Sequence, residues 1–270
     1  MSATCEGHSE ELIGTEIHAW RFVAGALAWY STLSCISLHP PSPVPLDLLW
    51  CETGHISPYQ IMGCQDWVMV KIREIATLCR WKDDMQAKRV LSLRDLALRA
   101  AELEKSLEAG LVALDADIAA VQPDNDLLLA IEPYDYGSAR VHLLVTYIFA
   151  SAALTYLFTI VSGANPNLSE IQGSVTKTIS KIRQLPHLKF LGNLSWPLCI
   201  TGCLSIGQNR DIFYNLIRKY NSKPHDFGSS QHIQSIVEKS WVLSEESCSK
   251  SNFIDWKVAM EVLDLDILLI

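Results

Sequence analysis

The sequence lacks the positive charge on which general binding to nucleic acid depends. Its 22 Lys and Arg residues are outnumbered by 30 Asp and Glu residues, and the formal net charge is -8. Non-specific affinity for nucleic acid comes mostly from basic side chains that neutralise phosphates. The densest basic region, residues 73–94, is interrupted by acidic side chains, which is typical of a solvated surface. We therefore expect no direct nucleic-acid binding from this chain.

The cysteines lack the close spacing of a metal cluster. The sequence contains no C-x-x-C, whereas a binuclear zinc cluster needs six thiolates from two tight, similar halves. Cys199 and Cys203 lie one helical turn apart and could hold a metal with ligands from elsewhere in the chain. The alternative is that these thiols are small buried hydrophobic side chains in a reducing compartment. We favour the alternative and predict no metal site.

The compact motifs of catalysis are also missing. The chain has no glycine loop followed by a phosphate-binding lysine, no paired histidines on one helix and no glycine-flanked nucleophilic serine. The eight histidines are scattered, and His142 is the one that merits attention, although a core histidine is the simpler interpretation. Asp264 and Asp266 form a candidate carboxylate pair, but alternation with Leu265 and Ile267 favours a buried tail. We predict no enzyme, no catalytic residue and no cofactor.

Membrane and secretory signals are weak. The first twenty residues contain no Lys or Arg, in contrast to the charged start of a secretory leader. Val141 to Val161 has no formal charge and is long enough to span a bilayer. Its hydroxyl, phenol and imidazole side chains favour a buried central helix over a membrane span. We expect no membrane association.

Strand signals are nearly absent, and apolar residues at helical spacing dominate. The pattern predicts an all-α fold, an irregular multi-helix bundle in a single large domain over residues 17–270, after a polar lead-in at residues 1–16. Breaks are predicted at His39–Pro45, Gln122–Gly137, Ser162–Asn167 and Asn221–Ser230. Helices are predicted at Ile17–Ser37, Ile61–Trp81, Leu93–Leu114, Val141–Val161, Leu168–Leu185, two within Asn193–Ile217, Gln231–Ser244 and Asp255–Leu263.

The predicted helix Leu93–Leu114 carries a regular leucine stripe. Ser92 with Asp95 three residues later indicates a capping box at its start. The stripe is typical both of a coiled-coil dimer seam and of a helix packed inside its own domain. Because it covers only about three heptads, we favour intramolecular packing.

The stretch Asn193–Ile217 is expected to organise the rest of the chain. The pattern predicts that Ser195 accepts a hydrogen bond from the first helical turn and that Gly207 ends this helix. Asn209 is then expected to cap the second helix. Gly202 is expected to leave a bare strip where another backbone comes close.

Three stretches resemble one family. LSWPLCITGCLSIGQNRDIF, from Leu194 to Phe213, is similar to the tryptophan-proline, glycine-cysteine helical pair in the regulatory region of fungal binuclear zinc cluster transcription factors. MGCQDWVMVKIREIATLCRWK, Met62 to Lys82, resembles the glycine-cysteine helix of that region. FIDWKVAMEVLDLDILLI, Phe253 to Ile270, resembles its closing tryptophan helix and apolar tail. The likeness covers the chain from about Ile17 onward.

The resemblance implies a helical regulatory domain that acts in the nucleus, with the cytoplasm as the alternative, on a fungal gene set such as a secondary-metabolite cluster. The six-cysteine cluster, its basic linker and the early part of the helical region are not found in this sequence. Expected partners are therefore proteins, either zinc cluster factors or a second copy of the chain. Alternatives are an interaction or effector-binding module without DNA binding, whose ligand pocket the eight tryptophans could line, a membrane-anchored regulator, or a truncated relic.

Overall fold

The computed structural model describes residues 23, 25–36, 63–121, 138–221, 230–247 and 255–269. These residues are helical or connect helices, and no strand occurs among them, so the predicted all-α fold is confirmed. Residues 25–36 lie in the first described helix, α1. The others are α2 (Asp66–Ala87), α3 (Leu93–Ala120), α4 (Ala139–Ser162), α5 (Ser169–Ile182), a 3-10 helix (Leu188–Asn193), α6 (Ser195–Cys203), α7 (Gly207–Asn221), α8 (Ser230–Ser247) and α9 (Trp256–Val262).

Helix α4 is the centre of the domain. Seventeen of its 24 residues are buried, which places protein on every side of the helix. Among the described residues it is the one helix long and apolar enough to cross a membrane, and most of its apolar stretch is buried inside the domain. The prediction of a buried central helix is therefore confirmed, because α2, α3, α5 and α6 supply the apolar surroundings.

Helix α3 packs its leucine stripe against α4. Leu96, Leu107, Leu111 and Leu114 are buried, whereas Leu93 at the first turn is 72% exposed. The Ser92 side chain accepts a hydrogen bond from the Asp95 amide at 3.2 Å, so the predicted cap is confirmed. The chain itself covers the stripe that could have been a dimer seam.

Side chains from neighbouring helices satisfy carbonyls near the ends of three helices. Lys82 on α2 donates to the Ile160 carbonyl of α4 at 2.6 Å. Arg140 on α4 donates to the carbonyls of Ile118 and Val121 at the end of α3, at 2.6 and 2.9 Å. Gln172 on α5 donates likewise to Leu204, the last cap residue of α6, at 2.7 Å. Because the last carbonyls of a helix have no partner within it, these bonds join each end to another helix.

Several predicted bounds are wrong. The second helix was expected at Ile61–Trp81, yet it begins at Asp66 and continues to Ala87. Gly63 has a φ of 71°, and the Gln65 amide donates to Thr146 of α4 rather than to a helical carbonyl. A tertiary contact therefore delays the start of α2, and sequence periodicity does not report it.

The other helix bounds differ by smaller amounts. Helix α3 is longer than predicted and α5 is shorter, while α8 extends beyond Gln231–Ser244 at both ends. The predicted break Ser162–Asn167 is confirmed, with Gly163 at a φ of 81°. The lead-in, the remainder of Ile17–Ser37, His39–Pro45 and Gln122–Gly137 lie outside the described residues.

Gly110 of α3 lies directly under the indole ring of Trp67 of α2. A Cβ atom at this position would overlap the ring. The Trp67 indole is also held by its N–H, which donates to the Gln65 side-chain oxygen at 2.8 Å. The contact lets α2 and α3 approach closely at this point.

Gly110→Ala is expected to destabilise the chain by about 1–3 kcal/mol, because the new methyl group displaces a ring that is already hydrogen-bonded. Thermal unfolding followed by circular dichroism measures the change. The matched control is Gly173→Ala on α5, where a Cβ meets no atom within 4 Å. Because alanine favours helix, the control should be stabilised by up to about 1 kcal/mol. Equal behaviour of the two variants would contradict the packing described here.

Candidate functional site

An aromatic cluster joins α1, α4 and α6 at the centre of the domain. The Trp29 and Phe149 rings meet edge to face with centroids 4.9 Å apart. The Phe149 and Trp196 rings are stacked at 6.2 Å, and Tyr156 meets Trp196 edge to face at the same distance. Trp29 and Trp196 are almost fully buried. These tryptophans form core rather than the lining of an effector pocket, and Trp20 and Trp50 lie outside the described residues.

Helix α6, the first half of the stretch that resembles the family, is buried along its whole length. A Cβ added to Gly202 would lie 2.5 Å from the Phe213 ring of α7 and 2.7 Å from a Val237 methyl of α8. The Gly202 carbonyl accepts a hydrogen bond from the Trp241 indole at 2.9 Å. The expectation of a close contact at Gly202 is confirmed, but side chains of two helices make it, not another backbone.

The predicted caps in this stretch are wrong. Ser195 lies inside the first turn of α6, and its hydroxyl donates to the Gly192 carbonyl at 3.4 Å. The preceding 3-10 helix supplies carbonyl acceptors, such as Leu194 for the Leu198 amide at 2.8 Å, so a side-chain cap is unnecessary. Asn209 lies within α7 and donates to Thr176 of α5 at 2.9 Å. Gly207, at a φ of 52°, begins α7 instead of ending α6.

Arg210 links the three helices around Gly202. Its guanidinium donates to Glu245 of α8 at 2.6 Å and lies 4.3 Å from the centre of the Trp241 ring. The ion pair is exposed, and such pairs contribute little to stability. Its effect is to hold the indole in the orientation that reaches the Gly202 carbonyl.

Four hydroxyl groups are buried between α4 and α5. Thr155 donates to Ser174 at 2.7 Å, and Thr178 donates to Ser151 at 2.8 Å. Each hydroxyl also bonds to a carbonyl of its own helix. Buried hydroxyl groups need partners, and here each helix supplies those of the other. The sequence analysis missed this cluster, although Ser and Thr four residues apart on two apolar helices were the available signal.

An ion pair with an aromatic neighbour joins α3, α4 and α5. Lys181 lies 2.6 Å from the Asp115 carboxylate and 4.6 Å from the centre of the Tyr147 ring. The Tyr147 hydroxyl donates to the same carboxylate at 3.3 Å. Burial, with the charge of Asp115, raises the pKa of Tyr147 to about 12.

Three titratable groups meet where α2, α4 and α9 come together. Burial raises the pKa of the Cys79 thiol, while a hydrogen bond to Tyr156 and the charge of Lys257 lower it. Burial also raises the pKa of Tyr156. Burial likewise raises the pKa of Asp255, and the charge of Lys257 and neighbouring amides offset part of the effect. The thiol and phenol are protonated near neutral pH, so neither is an activated nucleophile.

The candidate chemical residues do not converge on one site. Cys199 and Cys203 are buried in the core, and burial raises the pKa of the Cys199 thiol. Asp264 and Asp266 are exposed on either side of the half-buried Leu265, and the tail ends on the buried Leu269. His142 is half-buried on α4 and its carbonyl accepts a bond from Thr146. Among the described residues, no three His, Cys, Asp or Glu side chains are grouped to hold a metal ion.

The fungal specific transcription factor domain matches residues 14–270, nearly the whole chain. The chain belongs to this family. The matched region contains the buried helix α6 and the Gly202 contact, which place the family's characteristic stretch in the core.

Curated relatives point to specialised metabolism. The chain is 38% identical over 240 residues to the trichothecene biosynthesis transcription regulator TRI10 of Trichoderma arundinaceum, covering 88% of this chain and 52% of that protein. It is 32% identical to TRI10 of Fusarium sporotrichioides, covering 93% and 54%. The ustiloxin B cluster transcription factor ustR of Aspergillus flavus is 31% identical, with 94% and 43% covered. The chain thus spans about half the length of these relatives, and no solved structure matches it.

The raised pKa of Tyr147 predicts a specific loss of stability at alkaline pH. An unfolded tyrosine ionises near pH 10, whereas the folded chain keeps this proton up to about pH 12. The unfolded state therefore binds fewer protons in that range, and stability falls as pH rises through it. Urea unfolding at a series of pH values should show a steeper decline for the wild-type chain than for Tyr147→Phe. Parallel curves would contradict the assignment.

Proposed function

We propose that the chain regulates transcription of a fungal secondary-metabolite gene cluster, and that its helical domain does so through protein contacts. The family match over residues 14–270 carries this proposal. The relatives named as regulators of trichothecene biosynthesis and of the ustiloxin B cluster support the kind of target. The proposal places the chain in the nucleus and assigns it no catalytic activity.

The charge and the core of the chain favour protein contacts over direct reading of DNA. The formal net charge is -8, and the conserved-looking chemistry of a zinc cluster is not found among its cysteines. The buried thiols and tryptophans stabilise the domain. A domain built in this way offers its helical surfaces to another protein, which supplies the contact to DNA.

Deletion of the gene in its source fungus is expected to lower or raise transcripts of one contiguous gene cluster, with most other transcripts unchanged. Transcript sequencing of the deletion strain and of the complemented strain measures this. A fluorescent fusion should accumulate in the nucleus, and the purified chain should not shift promoter DNA of that cluster in a gel assay. Unchanged transcripts in every cluster would contradict the proposed function.

Complementation with Gly202→Ala tests whether the helical domain carries the activity. The added methyl group overlaps Phe213 and Val237, and the expected destabilisation is about 1–3 kcal/mol. This loss lowers the amount of folded protein and should reduce the rescue of cluster transcripts. Gly173→Ala, where a Cβ meets no atom, should rescue fully. Equal rescue by both variants would show that the domain core is not needed.

A further inference from the structure

The outer face of α3 points away from the domain and carries large apolar side chains. It comprises Leu98, Ala101, Lys105, Ala109, Val112 and Ala116, all on the side opposite the buried leucine stripe. Leu98 is 60% exposed and Val112 is 71% exposed. The steps of three and four residues between these positions are those of a helix that pairs with another helix.

The C-terminal half of this outer face has no charge along its centre. Ala109, Val112 and Ala116 line it, with Ala113 and Ala120 beside them, and all five are exposed. A helix face turned to water normally carries charged side chains. An exposed valine also does not favour helix formation, because its branched side chain is restricted there. Small side chains around one larger side chain let a second helix approach closely.

Charges on α3 are divided between its two halves. The basic residues Arg94, Arg99 and Lys105 all lie in the N-terminal half, where they balance three acidic residues. The C-terminal half contains Glu108, Asp115 and Asp117 and no basic residue. Acidic side chains near a helix C-terminus are unfavourable to the helix dipole, so the helix alone does not account for this arrangement.

We propose that α3 pairs antiparallel with α3 of a second copy of the chain across this outer face. Antiparallel pairing sets each basic half against the acidic half of the other helix, whereas parallel pairing sets acid against acid. A two-fold axis near Leu107 places Leu98 opposite Ala116 of the second copy. The same axis places Lys105 beside Glu108 of the second copy, and this pair occurs twice.

The pairing is separate from the dimer seam considered from the sequence. That seam used the leucine stripe, which α4 covers, while the outer face lies on the opposite side of the helix. A single pair of helices buries less than a standard interface of about 800 Å² per partner. We therefore expect a dimer with a dissociation constant in the micromolar range, and it does not depend on the role in transcription.

Sedimentation equilibrium of the 270-residue chain at about 1–100 µM tests the pairing. Val112→Glu should raise the dissociation constant at least about tenfold, because it places a charge at the centre of the contact. The matched control is Val242→Glu on α8, where the side chain is 44% exposed, and it should dimerise like the wild type. Circular dichroism checks that both variants are folded. A monomer at every concentration, or a dimer unaffected by Val112→Glu, would overturn the proposal.

Charge exchange tests the antiparallel orientation. Lys105→Glu should weaken the dimer by placing two carboxylates together, and Glu108→Lys should weaken it by placing two amines together. The double variant restores opposite charges at both symmetric positions and should dimerise like the wild type. A double variant that is as weak as either single variant would overturn the antiparallel pairing.

Discussion

The rest of the domain depends on the burial of α4 on every side. A helix with an apolar surface all around requires apolar partners in all directions, and α2, α3, α5 and α6 each turn an apolar stripe toward it. None of those helices has enough apolar surface to fold stably alone. The central helix therefore makes separate amphipathic helices into one domain, and its length reflects the size of the core.

Hydrophobic burial does not by itself fix how the helices are rotated and shifted along one another, because it is non-directional. Directional contacts do so here. The hydroxyl cluster sets α5 against α4, and Lys82 and Arg140 join helix ends to neighbouring helices. Because an unpaired buried donor costs more than a typical hydrogen bond contributes, alternative arrangements that break these bonds are disfavoured. The polar contacts thus select one packing among many that bury similar apolar area.

The same burial explains the absence of reactive groups from the described core. Cys79, Tyr156 and Asp255 lie close together, but burial raises the pKa of each one. Burial favours the neutral form of an acid, so the thiol and phenol do not ionise near neutral pH. A core of this kind stabilises a shape, and the interacting surfaces lie outside it. Helix α3 illustrates the division, with one face in the core and the opposite face apolar and exposed.

The sequence by itself determined the all-α class, the buried central helix, the Ser92 cap and the family, since apolar periodicity and short motifs are local properties. Only the tertiary structure decided where α2 begins, because Thr146 of α4 engages the Gln65 amide. It also decided what lies against Gly202 and how Ser195 and Asn209 bond, since their partners come from other helices or from the preceding 3-10 turn. Local sequence encodes which side of a helix is apolar, but the partner of each side chain depends on distant residues brought together by packing.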